Sequence, residues 1–138
     1  MPRREPAENA MVKERDFLLT ICHNALSADP AVRFAGIIDN NGKLLVGEYR
    51  QDIGSPLIKL NPSSDPRSSS FFSAYQSLIH KKKFEPDLGE LSFQLTAFEK
   101  VNLLTVPLTA RDDRYLCVSM DAHASYHKVV DKVLDTIG

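Results

Sequence analysis

Residues 32–50, VRFAGIIDNNGKLLVGEYR, are two apolar runs joined by an Asx-Gly corner. Val32 to Ile38 carries almost no polar residue inside it, as expected of a strand buried on both faces and therefore central in its sheet. Ala35 and Gly36 lack bulk, which would let a helix lie close to that strand. Asp39-Asn40-Asn41-Gly42 supplies residues that tolerate positive φ. Lys43 to Arg50 then reads as the return strand of a hairpin. An Asp-Asn-Asn-Gly loop can hold calcium where further carboxylates follow, but the EF-hand spacing and its closing glutamate are missing. The corner is read as structural.

The hairpin sits between two helical patterns. Residues Met1–Glu8 are rich in proline and charge and are expected to form a flexible tail over 1–8, followed by a single domain over 9–138. A helix is predicted over 9–27, with Leu18, Ile21, Cys22 and Ala25 at helical spacing, and Asp29-Pro30 ends it. After the hairpin, 51–67 holds Gly54, Pro56, Pro62 and Pro66 and reads as a long irregular loop. A second helix is expected from about Ser68–Ser70 to Lys83, with Phe71, Tyr75, Leu78 and Ile79 on one face.

Three strands are predicted next. Glu90 to Phe98, ELSFQLTAF, alternates: Leu91, Phe93, Leu95 and Ala97 on a core face, Ser92, Gln94 and Thr96 on a wet one. VNLLTVPL (101–108) follows, with Pro107 suited to a strand end or bulge. YLCVSM (115–120) is apolar throughout and so central. A last helix is expected from about His123 to Ile137, with Tyr126, Val129, Val130, Val133, Leu134 and Ile137 in phase.

Composition excludes several classes. A chain of 138 residues suits one domain, and 17 basic against 18 acidic side chains leave a net charge of -1. That balance gives no general pull toward nucleic acid or anionic lipid, so no nucleic-acid partner and no membrane binding are expected. No apolar run is long enough to span a bilayer, and the N-terminus MPRREPAENA lacks the apolar core of a secretory signal. A cytoplasmic protein is expected. Cys22 and Cys117 each sit in an apolar pattern and read as buried thiols.

The candidate chemistry is thin. His123, His127 and Asp131 would share a helix face, but no further ligand converges on them in sequence, and His123 falls at the start of the helix. His80 and Lys81-Lys82-Lys83 complement the end of the second helix. Asp112-Asp113, between Arg111 and Arg114, has the make-up of a turn. Ser68-Ser69-Ser70 lacks the strand-turn-helix context of a hydrolase nucleophile, and no glycine-rich phosphate loop occurs. No catalytic residue, cofactor or metal site is expected, and the chain is read as a non-enzyme.

The order helix, two strands, helix, three strands, helix resembles the roadblock/dynein light chain domain, within the profilin-like, longin-like group of folds. RFAGIIDNNGKLLVG after the first helix and LLTVPLTARDDRYLCVSMD before the last carry the likeness. RFAGIIDNNGKL, KKKFEPDLGELSF and EKVNLLTVPL look closer still to small archaeal proteins of this order. The resemblance implies an α+β fold: a five-stranded antiparallel sheet with three helices, in the order α-β-β-α-β-β-β-α, with the strands at Val32 and Tyr115 adjacent in the middle. It also implies a non-enzymatic adaptor or regulatory protein-binding module, often a homodimer and often a partner of small GTPases. The alternative is a PAS-like small-molecule sensor, which needs a pocket between sheet and helices. The interaction surface expected for the adaptor comprises Phe72, Tyr75, His80, Lys81, Lys82, Lys83, Ser92, Gln94 and Thr96. The strand at Glu90–Phe98 would form an open sheet edge for a second copy.

Overall fold

The structure is a computed structural model and describes residues 6–50, 83–109 and 113–137, with side chains from Lys13 onward. Its elements are α1 (Pro6–Ser27), β1 (Val32–Asp39), β2 (Leu44–Tyr49), α2 (Glu85–Leu88), β3 (Gln94–Ala97), β4 (Val101–Pro107), β5 (Arg114–Asp121) and α3 (Tyr126–Ile137). The five strands form one sheet in the order β2-β1-β5-β4-β3, every neighbouring pair antiparallel. β1 and β5 are the inner strands, as their unbroken apolar runs require.

Both faces of that central pair are buried. On one face, Val32, Ala35, Ile37, Leu116, Val118 and Met120 meet Leu18, Cys22 and Ala25 of α1 and Val129, Val130 and Val133 of α3. On the other, Phe34, Ile38, Leu103, Tyr115 and Cys117 form a second cluster, with Leu44, Tyr49, Leu91 and Val101 packed against it. Fully burying one such side chain contributes about 1.5–3 kcal/mol, so the two clusters supply most of the drive to fold.

The corner at 39–42 is built as its residues dictate. Asp39 Oδ1 accepts from the backbone N–H of Asn41 (2.8 Å) and of Lys43 (3.0 Å). Gly42 takes φ 80°, the left-handed region. Ile37 stands opposite Val46 and Ile38 opposite Leu44, so Leu45 is the extra residue of a bulge. Gly36 has a different task from the one its sequence suggested. Its neighbour Ala35 faces the helices, but a Cβ on Gly36 would lie 2.7 Å from Phe34 Cζ, on the opposite side of the sheet. Phe34 folds back over Gly36 and meets Tyr49, ring centroids 4.9 Å apart.

Several expected boundaries move. α1 begins at Pro6, so Pro6–Glu8 are helical rather than tail; proline is well tolerated in a first helical turn. The loop at 51–67 lies outside the described residues, and so does the helix expected from Ser68 up to its last residue, Lys83. The helix described between β2 and β3 is the single turn α2. α3 starts at Tyr126 instead of His123, because the chain first turns (Ala124 N to Asp121 O, 3.1 Å) and Ser125 O then accepts from Lys128 and Val129.

β3 is also shorter than the alternation at 90–98 implied. Gln94 faces Thr105 in the ladder, and continuing that register sets Ser92 opposite Pro107. Phe98 N donates to Val101 O at 2.9 Å, which phases the ladder so that Pro107 should donate toward Ser92. Proline has no N–H to give, and the strand starts after that point.

Polar bonds tie the helices to one end of the sheet. Asp29 Oδ1 accepts from Ala31 N (2.8 Å), and its Oδ2 accepts from Lys132 Nζ of α3 (2.8 Å). Arg33 Nη1 donates to Asp121 Oδ1 at 2.9 Å, and Arg50 donates to the Pro30 carbonyl. The Lys132 bond first, then the Ala31 bond, hold the Asp29 carboxyl below its ordinary pKa of 3.8.

Two tests follow from this packing and one from the charge. Gly42→Val forces a β-branched residue to positive φ and should cost roughly 1 kcal/mol or more, read as a lower melting temperature; an unchanged value would remove the strain at this corner. Val133→Asp places a carboxylate at a fully buried position and should abolish the cooperative thermal transition. Asp29 has a depressed folded-state pKa, so its contribution is present above the unfolded value of 3.8 and is lost as pH falls through the lower folded value. The Asp29→Asn variant should therefore lose less stability than wild type on acidification through that window.

Candidate interaction surface

The residues expected to form an interaction surface do not share one environment. Phe72, Tyr75, His80, Lys81 and Lys82 lie outside the described residues. Lys83 is exposed in the turn that leads into α2, and Ser92 is exposed ahead of β3. Thr96 is half-buried. Gln94 is only 5% exposed, so the face of β3 read as wet is not wet along its length. The Gln94 side chain lies on the second cluster's side of the sheet, opposite α1 and α3. Its Nε2 is 3.4 Å from Thr96 Oγ1 as donor to that hydroxyl.

The opposite reading of the same strand also needs correction. Of Leu91, Phe93, Leu95 and Ala97, only Leu95 packs against the helix-side core, while Leu91 joins the second cluster. Phe93 is 40% exposed and Ala97 is exposed. Phe93 precedes the ladder, so strand parity does not govern it, and α1 packs mainly on β1 and β2, away from this end of the sheet.

Sequence reasoning missed a cluster of exposed apolar residues in this stretch. α2 contributes no buried residue; Phe84, just before it, and Leu88, its last residue, are 57% and 81% exposed. Leu88 N donates to Phe84 O at 2.9 Å, so the two stand one helical turn apart. Phe93 and Phe98, the latter 52% exposed, border β3 on either side. The spacing of Phe84 and Leu88 in FEPDL was a visible helical pair; what the sequence did not disclose is that α2 buries none of its residues.

The remaining candidates are accounted for locally. His123 and His127 are both exposed, His123 in the turn before α3, and the His127 ring lies 4.1 Å from that of Tyr126. Asp131 is exposed on the same helix. Among the described residues no group of three or more His, Cys, Asp or Glu is placed to hold a metal ion. Asp113 accepts from Thr109 Oγ1 at 2.6 Å within its turn, while Asp112 lies outside the described residues. Arg114 Nε donates to Glu14 Oε1 at 2.8 Å, tying β5 to α1. His23 gains a partner in Glu48, 3.5 Å away. Burial pushes the Cys22 thiol up to about 12, helped by Glu48, and raises Cys117 further. Neither thiol is the ionised nucleophile that covalent chemistry requires.

A scan against protein-family models and a search of curated proteins give no match. Solved structures do match. The gliding protein MglB from Thermus thermophilus superposes with TM-score 0.65 at 15% identity, covering 89% of this chain and 83% of its own. A structure described as MglB with tetrameric arrangement gives TM-score 0.67 at 15% identity, covering 89% and 84%. A Roadblock/LC7 domain from Streptomyces avermitilis gives TM-score 0.59 at 12% identity, covering 85% and 88%. These matches lend no support to the archaeal likeness. Helix, hairpin, helix, three-stranded meander and closing helix, in this strand order, make the chain a roadblock-like fold.

Proposed function

We propose that the chain is a non-enzymatic adaptor or regulatory module that self-associates and binds a protein partner. A small GTPase is the partner class that the roadblock resemblance implies. The observation that carries this reading is the set of large apolar side chains left exposed around α2 and β3: Phe84, Leu88, Phe93 and Phe98. Large apolar groups left exposed over so short a stretch of chain are what a protein partner covers. The tetrameric arrangement described for one MglB structure supports self-association as a habit of this fold. The reading places the chain in the cytoplasm; no helix among the described residues is long and apolar enough to cross a membrane.

The PAS-like sensor is the weaker reading. A ligand would need space between the sheet and its helices, and Leu18, Cys22, Ala25, Val129, Val130 and Val133 meet the sheet there.

Immobilised wild-type protein should retain a specific small GTPase from native extract, identified by mass spectrometry and reproduced with the purified partner. Leu88→Asp, which alters a side chain that is 81% exposed, should leave the fold intact and weaken that retention at least tenfold. Native mass spectra showing a co-purified small molecule, with no protein retained, would favour the sensor instead.

A further inference from the structure

Asn41 is the one asparagine of the chain that is followed by glycine. In such a pair the glycine's peptide nitrogen lies within a five-membered ring's reach of the asparagine Cγ, and no side chain on the glycine shields it. Every other asparagine precedes a residue with a side chain. Asn41 is exposed at the hairpin corner, whereas Gly42 is buried there. The Gly42 nitrogen is also committed: its N–H donates to Asp39 O at 3.1 Å, the closing bond of the turn. Asp39 pins the corner on both sides of that bond. Its Oδ1 accepts from Asn41 N at 2.8 Å and from Lys43 N at 3.0 Å, and its own N–H donates to Lys43 O at 2.9 Å.

We propose that Asn41 is a site of spontaneous deamidation whose rate is set by opening of the hairpin corner. The reaction needs water and no other reagent. The Gly42 amide gives its proton to solvent base, and its nitrogen bonds to Asn41 Cγ. The Cγ–Nδ2 bond breaks, and Nδ2 leaves as ammonia. Water then adds to one or the other carbonyl of the resulting succinimide. One opening gives aspartate; the other gives isoaspartate, in which the main chain runs through Cγ and is one atom longer. No atom is oxidised or reduced. In the closed corner this attack is opposed twice. The proton that must be lost is donated to Asp39 O. The nitrogen cannot swing onto Cγ while Asn41 N and Lys43 N are both held by Asp39 Oδ1. Conversion therefore proceeds through local openings of the turn, and Asp39 is the positioning residue that makes them rare. Isoaspartate alters the corner for good, because the added main-chain atom lies between the two N–H groups that Asp39 Oδ1 binds. The new carboxylate also repels that of Asp39.

Timed incubation of the whole chain at mildly alkaline pH, followed by brief tryptic digestion and mass spectrometry, reads the reaction directly. Trypsin releases Phe34–Lys43, whose fragment masses distinguish Asn41 from Asn40. The native chain should convert at Asn41 to both aspartate and isoaspartate, with Asn40 unchanged. It should do so at least tenfold more slowly than the same chain unfolded in urea. Asp39→Ala removes the Oδ1 acceptor. It should convert at least tenfold faster than wild type when folded, and at the wild-type rate in urea. Asp39→Asn retains an Oδ1 acceptor and should stay slow. The native and urea-unfolded wild type can be compared without any variant, and that comparison decides the matter should Asp39→Ala fail to fold. No conversion at Asn41 in either state would remove the site. Equal rates in the two states would overturn the gate. An acceleration by Asp39→Ala that persists in urea would trace the effect to the neighbouring charge and overturn the part given to the hydrogen bonds.

Discussion

The pairing of β1 with β5 sets Ala35 opposite Val118 and Ile37 opposite Leu116 on the helix side, and Gly36 opposite Cys117 and Ile38 opposite Tyr115 on the other. Two strands with apolar side chains on both faces cannot lie at the surface of a sheet, and neither face can be left to water. Their partners follow from that. β2 and β4 flank the pair, α1 and α3 cover one side, and a second apolar cluster occupies the far side. The polar ties at the sheet's end, Asp29 with Lys132 and Arg33 with Asp121, are partly exposed pairs of the kind that contributes at most about 1 kcal/mol each. They orient α3 and the β1–β5 ends more than they hold the fold together.

Elements with strong local signals were legible in the amino-acid sequence. β1 and β5 announce burial on both faces by lacking polar residues. Asp39 to Gly42 announces its turn by chemistry, and α3 its buried face by the spacing of Val129, Val130 and Val133. What was not legible depends on contacts distant in sequence. The start of β3 is limited by Pro107, a residue 15 positions from Ser92 by number (107 − 92), and the limit exists only in the register of this hairpin. Gly36 looked like room for a helix because Ala35 beside it is just that; strand parity sends the two to opposite sides.

The candidate surface divides in the same way. Alternation correctly separated Gln94 and Thr96 from Leu95, but parity alone does not say which face is wet. That depends on what covers each side, and Gln94 proved buried while Phe93 did not. Phe84 and Leu88 carried a visible helical spacing. Their exposure was invisible because a helical pair normally implies a core beneath it, and the single turn of α2 has no buried residue.

A row of small and polar residues crosses the second face of the sheet. Gln94, Thr105, Cys117, Gly36 and Gly47 are successive ladder partners from β3 to β2. Gln94, Thr105 and Cys117 are buried. Hydrophobic alternation protects a sheet against a one-residue slip, which would turn every apolar side chain to the wrong face. It gives no protection against a slip of two, which restores the faces. A slip of two between β4 and β5 would set Thr105 opposite Ser119 or Tyr115 in place of Cys117, and a slip of two between β1 and β5 would set Cys117 opposite Phe34 or Ile38 in place of Gly36. Phe34 already lies over Gly36, so the second shift crowds a buried thiol against a large side chain, and overpacking of that kind costs about 1–3 kcal/mol. The β3–β4 register is set separately, by the hairpin bond from Phe98 N to Val101 O. That bond places Pro107 across from Ser92 and turns Leu95 and Ala97 outward.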